Sequence, residues 1–243
     1  MFKRQHHQRL AQVLLALNGP LLRENHCLFG GGTAIALRYG EYRESVDIDF
    51  LVSDISSYRT LRQLLTGPAG IMPLVREDAM PLMQAREVRA DQYGIRTMLL
   101  VAEQPIKFEI ILEGRIELAT STASDEICGI TTLTPLDLAT SKLLANSDRW
   151  GDDGVFSRDL IDLAMMALPL DLLRQAVNKA EQAYGKSILQ DLEKAINRAQ
   201  IRQGWLERCM KALAISLPKA QLWQKIRILR RALPGEISLS RKI

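Results

Sequence analysis

The residues best equipped for chemistry lie between Gly30 and Phe50, in the stretch GGGTAIALRYGEYRESVDIDF. Asp47 and Asp49 sit one residue apart in an apolar strand pattern, so their carboxylates share one face. Like charges placed that close repel, and a structural role gains little from them. A hard divalent cation offsets the repulsion. Mg²⁺ suits such donors, because it takes oxygen ligands and often binds through carboxylates plus substrate phosphates; Mn²⁺ is the alternative ion for the same set. Upstream, Gly30-Gly31-Gly32-Thr33 runs into a short helical pattern. Glycine backbone lets N–H groups approach a phosphate closely, and a helix start favours the anion. A phosphate cradle feeding a carboxylate pair implies nucleotidyl transfer. The run is not a Walker loop, since no Gly-Lys-Ser/Thr follows, and GxGxxG is absent. The competing reading is a tight strand-to-helix turn beside a half-solvated strand.

Other candidates follow along the chain. Glu109 lies in the strand pattern after Pro105, on the same face as Lys107, as a third carboxylate or an ordinary Lys-Glu strand decoration. Lys142 stands alone in an otherwise apolar helix, either reaching for solvent or holding a nucleotide phosphate. Arg158-Asp159-Leu160-Ile161-Asp162 places two acids three apart on one helix face, where a helix start also favours them. His6, His7 and His26 show no partner pattern, which speaks against a His-based metal site or a Ser-His-Asp triad.

The elements needed to position these groups are legible in outline. A helix is expected over about residues 3–17, ending before the breaker Asn18-Gly19-Pro20. Cys27-Leu28-Phe29 enters the glycine loop as a short strand, and Val46–Val52 alternates as another. Ser56 is expected to cap a helix running through Leu65. Segments 82–90 and 94–101 form a hairpin around Asp91-Gln92-Tyr93-Gly94. Thr134-Pro135 marks a helix start, and the chain beyond it reads as helical, broken near 151–154, Pro169, Gly185, Gly204 and Pro218. The expected architecture is α/β: a mixed sheet with flanking helices over 1–133, then an all-helical domain over 134–243. Residues 174–243 carry 15 Lys/Arg against 5 Asp/Glu, so the chain's net +4 divides into an acidic first part and a basic remainder. A basic tail suits an anionic partner such as RNA, or is simply a solvated set of helix faces. Aromatics are only 5% of residues, so base stacking is not the expected recognition device. Three separated cysteines fit reduced thiols in a cytoplasmic protein. No segment is long and apolar enough to cross a membrane.

Taken in order, these residues resemble the AbiEii/AbiGii-type nucleotidyltransferases, including MenT-like enzymes and type IV toxin–antitoxin toxins of the polymerase-β-like superfamily. Phe29-Gly30-Gly31-Gly32-Thr33-Ala34 resembles the glycine motif, and Arg43-x-Ser45-x-Asp47-Ile48-Asp49 the Arg-x-Ser-x-Asp-x-Asp signature. Lys107-Phe108-Glu109-Ile110 resembles the third-carboxylate strand. Lys142 resembles the family lysine, and Arg158-Asp159-x-x-Asp162 its Arg-Asp-x-x-Asp helix. The resemblance covers residues 28–165. It implies NTP phosphates at Gly31, Gly32, Thr33 and Ser45, with metal on Asp47, Asp49 and Glu109. Lys142 and Arg158 would neutralise triphosphate charge, and Asp159 would orient Lys142 or the acceptor. It further implies a tRNA or other RNA 3′ end as acceptor and a cognate antitoxin as partner. A protein or small-molecule acceptor, or a catalytically silent RNA-binding module, would use the same core.

Overall fold

The computed structural model describes residues 2–122 and 125–234. The chain divides into two compact units, Met1–Thr134 and Pro135–Ile243. The fold is mixed α/β.

The first unit is built on a five-stranded sheet. Its elements are helices α1 (Gln5–Ala16) and α2 (Gly19–Glu24), strand β1 (Leu28–Phe29), α3 (Gly31–Arg38), β2 (Ile48–Val52) and α4 (Ile55–Leu65). The hairpin β3 (Met83–Ala90) and β4 (Gly94–Val101) follows, then β5 (Gln104–Leu112) and a small hairpin, β6 (Glu126–Ile127) with β7 (Ile130–Thr131). The sheet order is β1-β2-β5-β4-β3. Within this sheet β2 and β5 pair in parallel, and the other neighbouring strands pair antiparallel. Alternation explains the layering. Ile48, Phe50, Phe108 and Ile110 project to the buried face, where Phe50 packs between Phe29 and Phe108 at ring-centroid distances of 5.6 and 5.5 Å. The intervening residues, Asp49, Lys107 and Glu109, must take the other face.

Helix α1 ends before Asn18-Gly19-Pro20, as expected, and the same residues also begin α2: Asn18 Oδ1 accepts from Leu21 N at 3.1 Å and caps it, with Pro20 in its first turn. Proline is tolerated there because the missing N–H would have had no helical partner. The cap of α4 is Asp54, whose carboxylate accepts from Ser57 N at 2.6 Å, rather than Ser56. Strand β2 begins at Ile48, leaving Val46 half-exposed and Asp47 on the segment that leads in.

The second unit is helical: α5 (Pro135–Arg149), α6 (Arg158–Met166), α7 (Leu170–Tyr184), α8 (Ser187–Ile201), α9 (Trp205–Ala212) and α10 (Lys219–Ile228). Apolar positions at helical spacing, such as Leu173, Ala176, Val177 and Ala180 on α7, form its core. Gly185 and Gly204 take left-handed φ at the joints after α7 and before α9, a conformation glycine adopts without penalty. Residues 235–243 of the expected helical domain lie outside the described residues.

Candidate active site

Register brings the acids together. In the parallel β2–β5 pair Asp49 stands directly opposite Glu109, and adjacent strands lie about 4.8 Å apart. Both carboxylates therefore rise from one sheet face on neighbouring strands. The glycine loop closes over them. Gly30 N donates to Asp49 O at 2.8 Å. Gly31 opens α3 at φ +65, and a Cβ placed there would lie 2.5 Å from Asp49 Oδ2. Only glycine lets the amino end of α3 come this close to the carboxylate. Gly30 has a packing reason too, since a Cβ would meet Leu51 and Leu133 side chains at 2.7 and 2.8 Å.

Thr33 and Ser45 organise the approach to Asp47. The Thr33 hydroxyl donates to Asp47 O at 2.5 Å, so in its 2.8 Å contact with Ser45 Oγ it accepts. Both residues are buried. Ser45 N in turn donates to His7 Nε2 at 3.1 Å. An acceptor Nε2 puts the imidazole proton on Nδ1, which donates to Glu41 Oε1 at 2.9 Å. Burial pushes the His7 pKa down, against the raising effect of Glu41. The carboxylate of Glu41 is further held by backbone N–H groups of Lys3 and Arg4. The N-terminal helix is thus bonded to the loop that carries Ser45 and Asp47. Sequence reading set His7 aside. Its place in the buried stripe His7, Leu10, Leu14, Leu17 was the available signal.

Glu109 is not idle. Its carboxylate accepts from Arg96 Nε at 2.9 Å and pairs with Lys107 Nζ at 2.5 Å. Arg96 faces Glu109 across the antiparallel β4–β5 register, a contact that only the hairpin pairing discloses. Among the described residues no three His, Cys, Asp or Glu side chains are gathered as a ready metal cage. The Glu109 carboxylate is engaged by two cations, one on β4 and one on its own strand.

A second charged cluster lies within the helical unit. Lys142 of α5 is buried, with Nζ at 2.9 Å from Asp159 Oδ1 and 3.0 Å from Asp162 Oδ2. Arg149, two turns further along α5, binds Asp159 through Nε at 2.7 Å and a terminal nitrogen at 3.0 Å. Burial opposes the charge on Asp159, but Lys142 and Arg149 outweigh it and hold the carboxyl below its usual range. Asp159 and Asp162 together balance the Lys142 ammonium. Arg158, the first residue of α6, is half-buried.

The loop before α6 is fixed by the tail. Phe156 and Ser157 both take left-handed φ. Trp205 Nε1 donates to Ser157 Oγ at 2.9 Å, and Asp153 pairs with Arg198 and Arg202. Those two guanidinium groups stack on the Trp205 ring at 4.4 and 4.5 Å. Part of the basic tail is thus engaged internally rather than offered to a partner.

A family model described as nucleotidyl transferase AbiEii toxin, type IV TA system, matches residues 14–226. The chain belongs to this family. It is a nucleotidyltransferase. Two solved structures resemble it. One is a Helicobacter pylori protein described as a candidate nucleotidyltransferase, with 17% identity and a TM-score of 0.48 over 92% of this chain and 91% of that one. The other is JHP933 of Helicobacter pylori, with 19% identity and a TM-score of 0.47 over 97% and 96%. No curated protein matches the chain.

Members of the AbiEii family act with divalent metal ions, and the donor chemistry here fits a hard one. Asp47 and Asp49 supply carboxylate oxygens, with no cysteine or histidine side chain among the candidate donors. A small cation that keeps water and phosphate oxygens needs only one or two such carboxylates. The thiols are free and remote in chemistry: burial pushes Cys209 up to about 11, and Cys27 is buried too. Among the described residues, no helix of this AbiEii protein is long and apolar enough to cross a membrane.

Proposed function

We propose that this nucleotidyltransferase moves NMP from an NTP to a hydroxyl on RNA, at a tRNA 3′ end, with Mg²⁺, and that it acts as the toxin beside a cognate antitoxin. Mn²⁺ would occupy the same donors. The observation that carries the proposal is the in-register pair Asp49–Glu109 with Asp47 on the entering segment, set against the glycine start of α3. A bound divalent ion would neutralise triphosphate charge and stabilise the attacking and leaving oxygens. In this reading Asp47 and Asp49 are its ligands. Glu109 joins them once an anionic ligand competes for Arg96 and Lys107.

The other residues prepare the site. Gly31 and Gly32 present backbone N–H groups to phosphate, where the end of α3 favours negative charge. Thr33 and Ser45 act from within, fixing the backbone at Asp47 by hydrogen bonds already made.

The test is transfer of label from each α-labelled NTP to total RNA with Mg²⁺. Wild type is expected to label RNA, with Asp47→Ala and Asp49→Ala silent. Equal labelling by both variants would refute the site. Label on protein or on small molecules, with none on RNA, would refute the acceptor. Growth arrest on expression, relieved by the same substitutions, is the expected sign of the toxin.

A further inference from the structure

The row of residues that passes through the acids continues across the sheet. Asp49 pairs with Glu109, Glu109 with Arg96, and Arg96 with Arg89. Four strands therefore place two acids and then two bases on one line and one face. At about 4.8 Å per strand the line is about 14 Å long. The next row on the same face adds two more cations: Lys107 stands opposite Met98, and Met98 opposite Arg86. Arg86, Arg89, Arg96 and Lys107 together line an open trough of about 570 Å³, with Thr97, Met98 and one acid, Glu87.

The state of these cations is informative. Arg96 and Lys107 are spent on Glu109, and Arg96 also on Asp91. Arg86 and Arg89 are exposed on β3 and have no carboxylate partner among the described residues. Two solvated guanidinium groups at the outer strand of a sheet whose inner strands hold the acids stabilise little by themselves. Charge counting along the sequence hid this, because the first unit is acidic overall. The trough has no aromatic lining, so it offers no platform for stacked bases. Arginine forks match phosphate oxygens bidentately.

We infer that this trough on β3–β4–β5 binds the phosphodiester backbone of the RNA acceptor and leads its terminal hydroxyl toward Asp49 and Glu109. The inference rests on the nucleotidyl-transfer reading and adds where the acceptor lies. Contacts are to backbone, so binding is indifferent to base sequence. The surface lies within the first unit, and the arginines of the helical unit that pair with Asp153 are not needed for it.

The experiment measures binding of bulk tRNA to the full chain in EDTA, without NTP, as a function of salt. Arg86→Gln/Arg89→Gln is compared with wild type and with Arg202→Gln/Arg208→Gln, which removes two helical-unit arginines that face Asp153. Each lost phosphate contact lowers the slope of log affinity against log salt by about one. The expected result is a slope lower by about two for the β3 variant, at least tenfold weaker binding at low salt, and little change for the helical-unit variant. An unchanged slope in the β3 variant would overturn the inference. So would loss confined to the helical-unit variant, or competition by polyglutamate as effective as by tRNA. Circular dichroism and retained NTP binding verify that the β3 variant is folded. If tRNA binds through β3 but Asp49→Asn leaves label transfer intact, the trough stands and the catalytic reading falls.

Discussion

Replacing Gly31 by alanine isolates the contact on which the site depends. Alanine at φ +65 meets a left-handed penalty of about 1–2 kcal/mol. The new Cβ would also lie 2.5 Å from Asp49 Oδ2 and 3.0 Å from Asp49 Cβ, where ordinary contact begins at 3.4 Å. The carboxylate must therefore retreat by about 1 Å, a displacement that costs reacting groups on the order of 100-fold in rate. Gly40 provides the control. It has φ +88, and a Cβ there meets nothing within 4 Å. Gly40→Ala should lose similar stability and keep its activity. The assay is the initial rate of label transfer from α-labelled NTP at saturating Mg²⁺, with urea unfolding run in parallel. Gly31→Ala is expected to lose about 100-fold in rate for about 1–2 kcal/mol in stability. A folded Gly31→Ala within threefold of wild type would refute the argument that Asp49 must stand against the start of α3.

Further outcomes follow from the two charged clusters. Lys142→Met leaves Asp159 and Asp162 buried without their shared cation, and should cost about 3–5 kcal/mol in urea unfolding; Asp159→Asn should cost less, because Lys142 keeps Asp162. The depressed pKa of His7 has a defined sign. The unfolded chain binds the proton more readily, so its contribution is full above about 6.5 and lost as pH falls below that value. The drop in stability from pH 7 to 5 should therefore be shallower in His7→Gln, as read by urea midpoints. Protonation would also turn Nε2 from acceptor to donor and break the bond from Ser45 N. Asp159 behaves in the same direction at lower pH: its stabilisation is present above about 4 and fades on further acidification, a loss Asp159→Asn should not share.

The spacing of residues determined a good deal. Alternation in Ile48-Asp49-Phe50 and Ile106-Lys107-Phe108-Glu109-Ile110 put the acids on the face opposite the phenylalanines, because a strand has period two whatever surrounds it. Thr134-Pro135 marked the start of α5 for an equally local reason. Pairing was another matter. That Asp49 faces Glu109, and that Arg96 and Arg89 extend the same row, depends on which strands lie side by side and in what register. Asp49 and Glu109 are 60 residues apart in the chain, and their register is set through a shared apolar face. Burial inverted two local readings. His7 looked partnerless in sequence, yet folding carries Glu41 and Ser45 to its two ring nitrogens. Lys142 looked like a single charge seeking solvent or phosphate, yet a loop of left-handed residues brings α6 back so that Asp159 and Asp162 enclose it. Local chemistry set which side chains each segment exposes. Tertiary structure decided which of them meet, because a buried charge or hydrogen-bonding group is tolerated only where the fold delivers its partner.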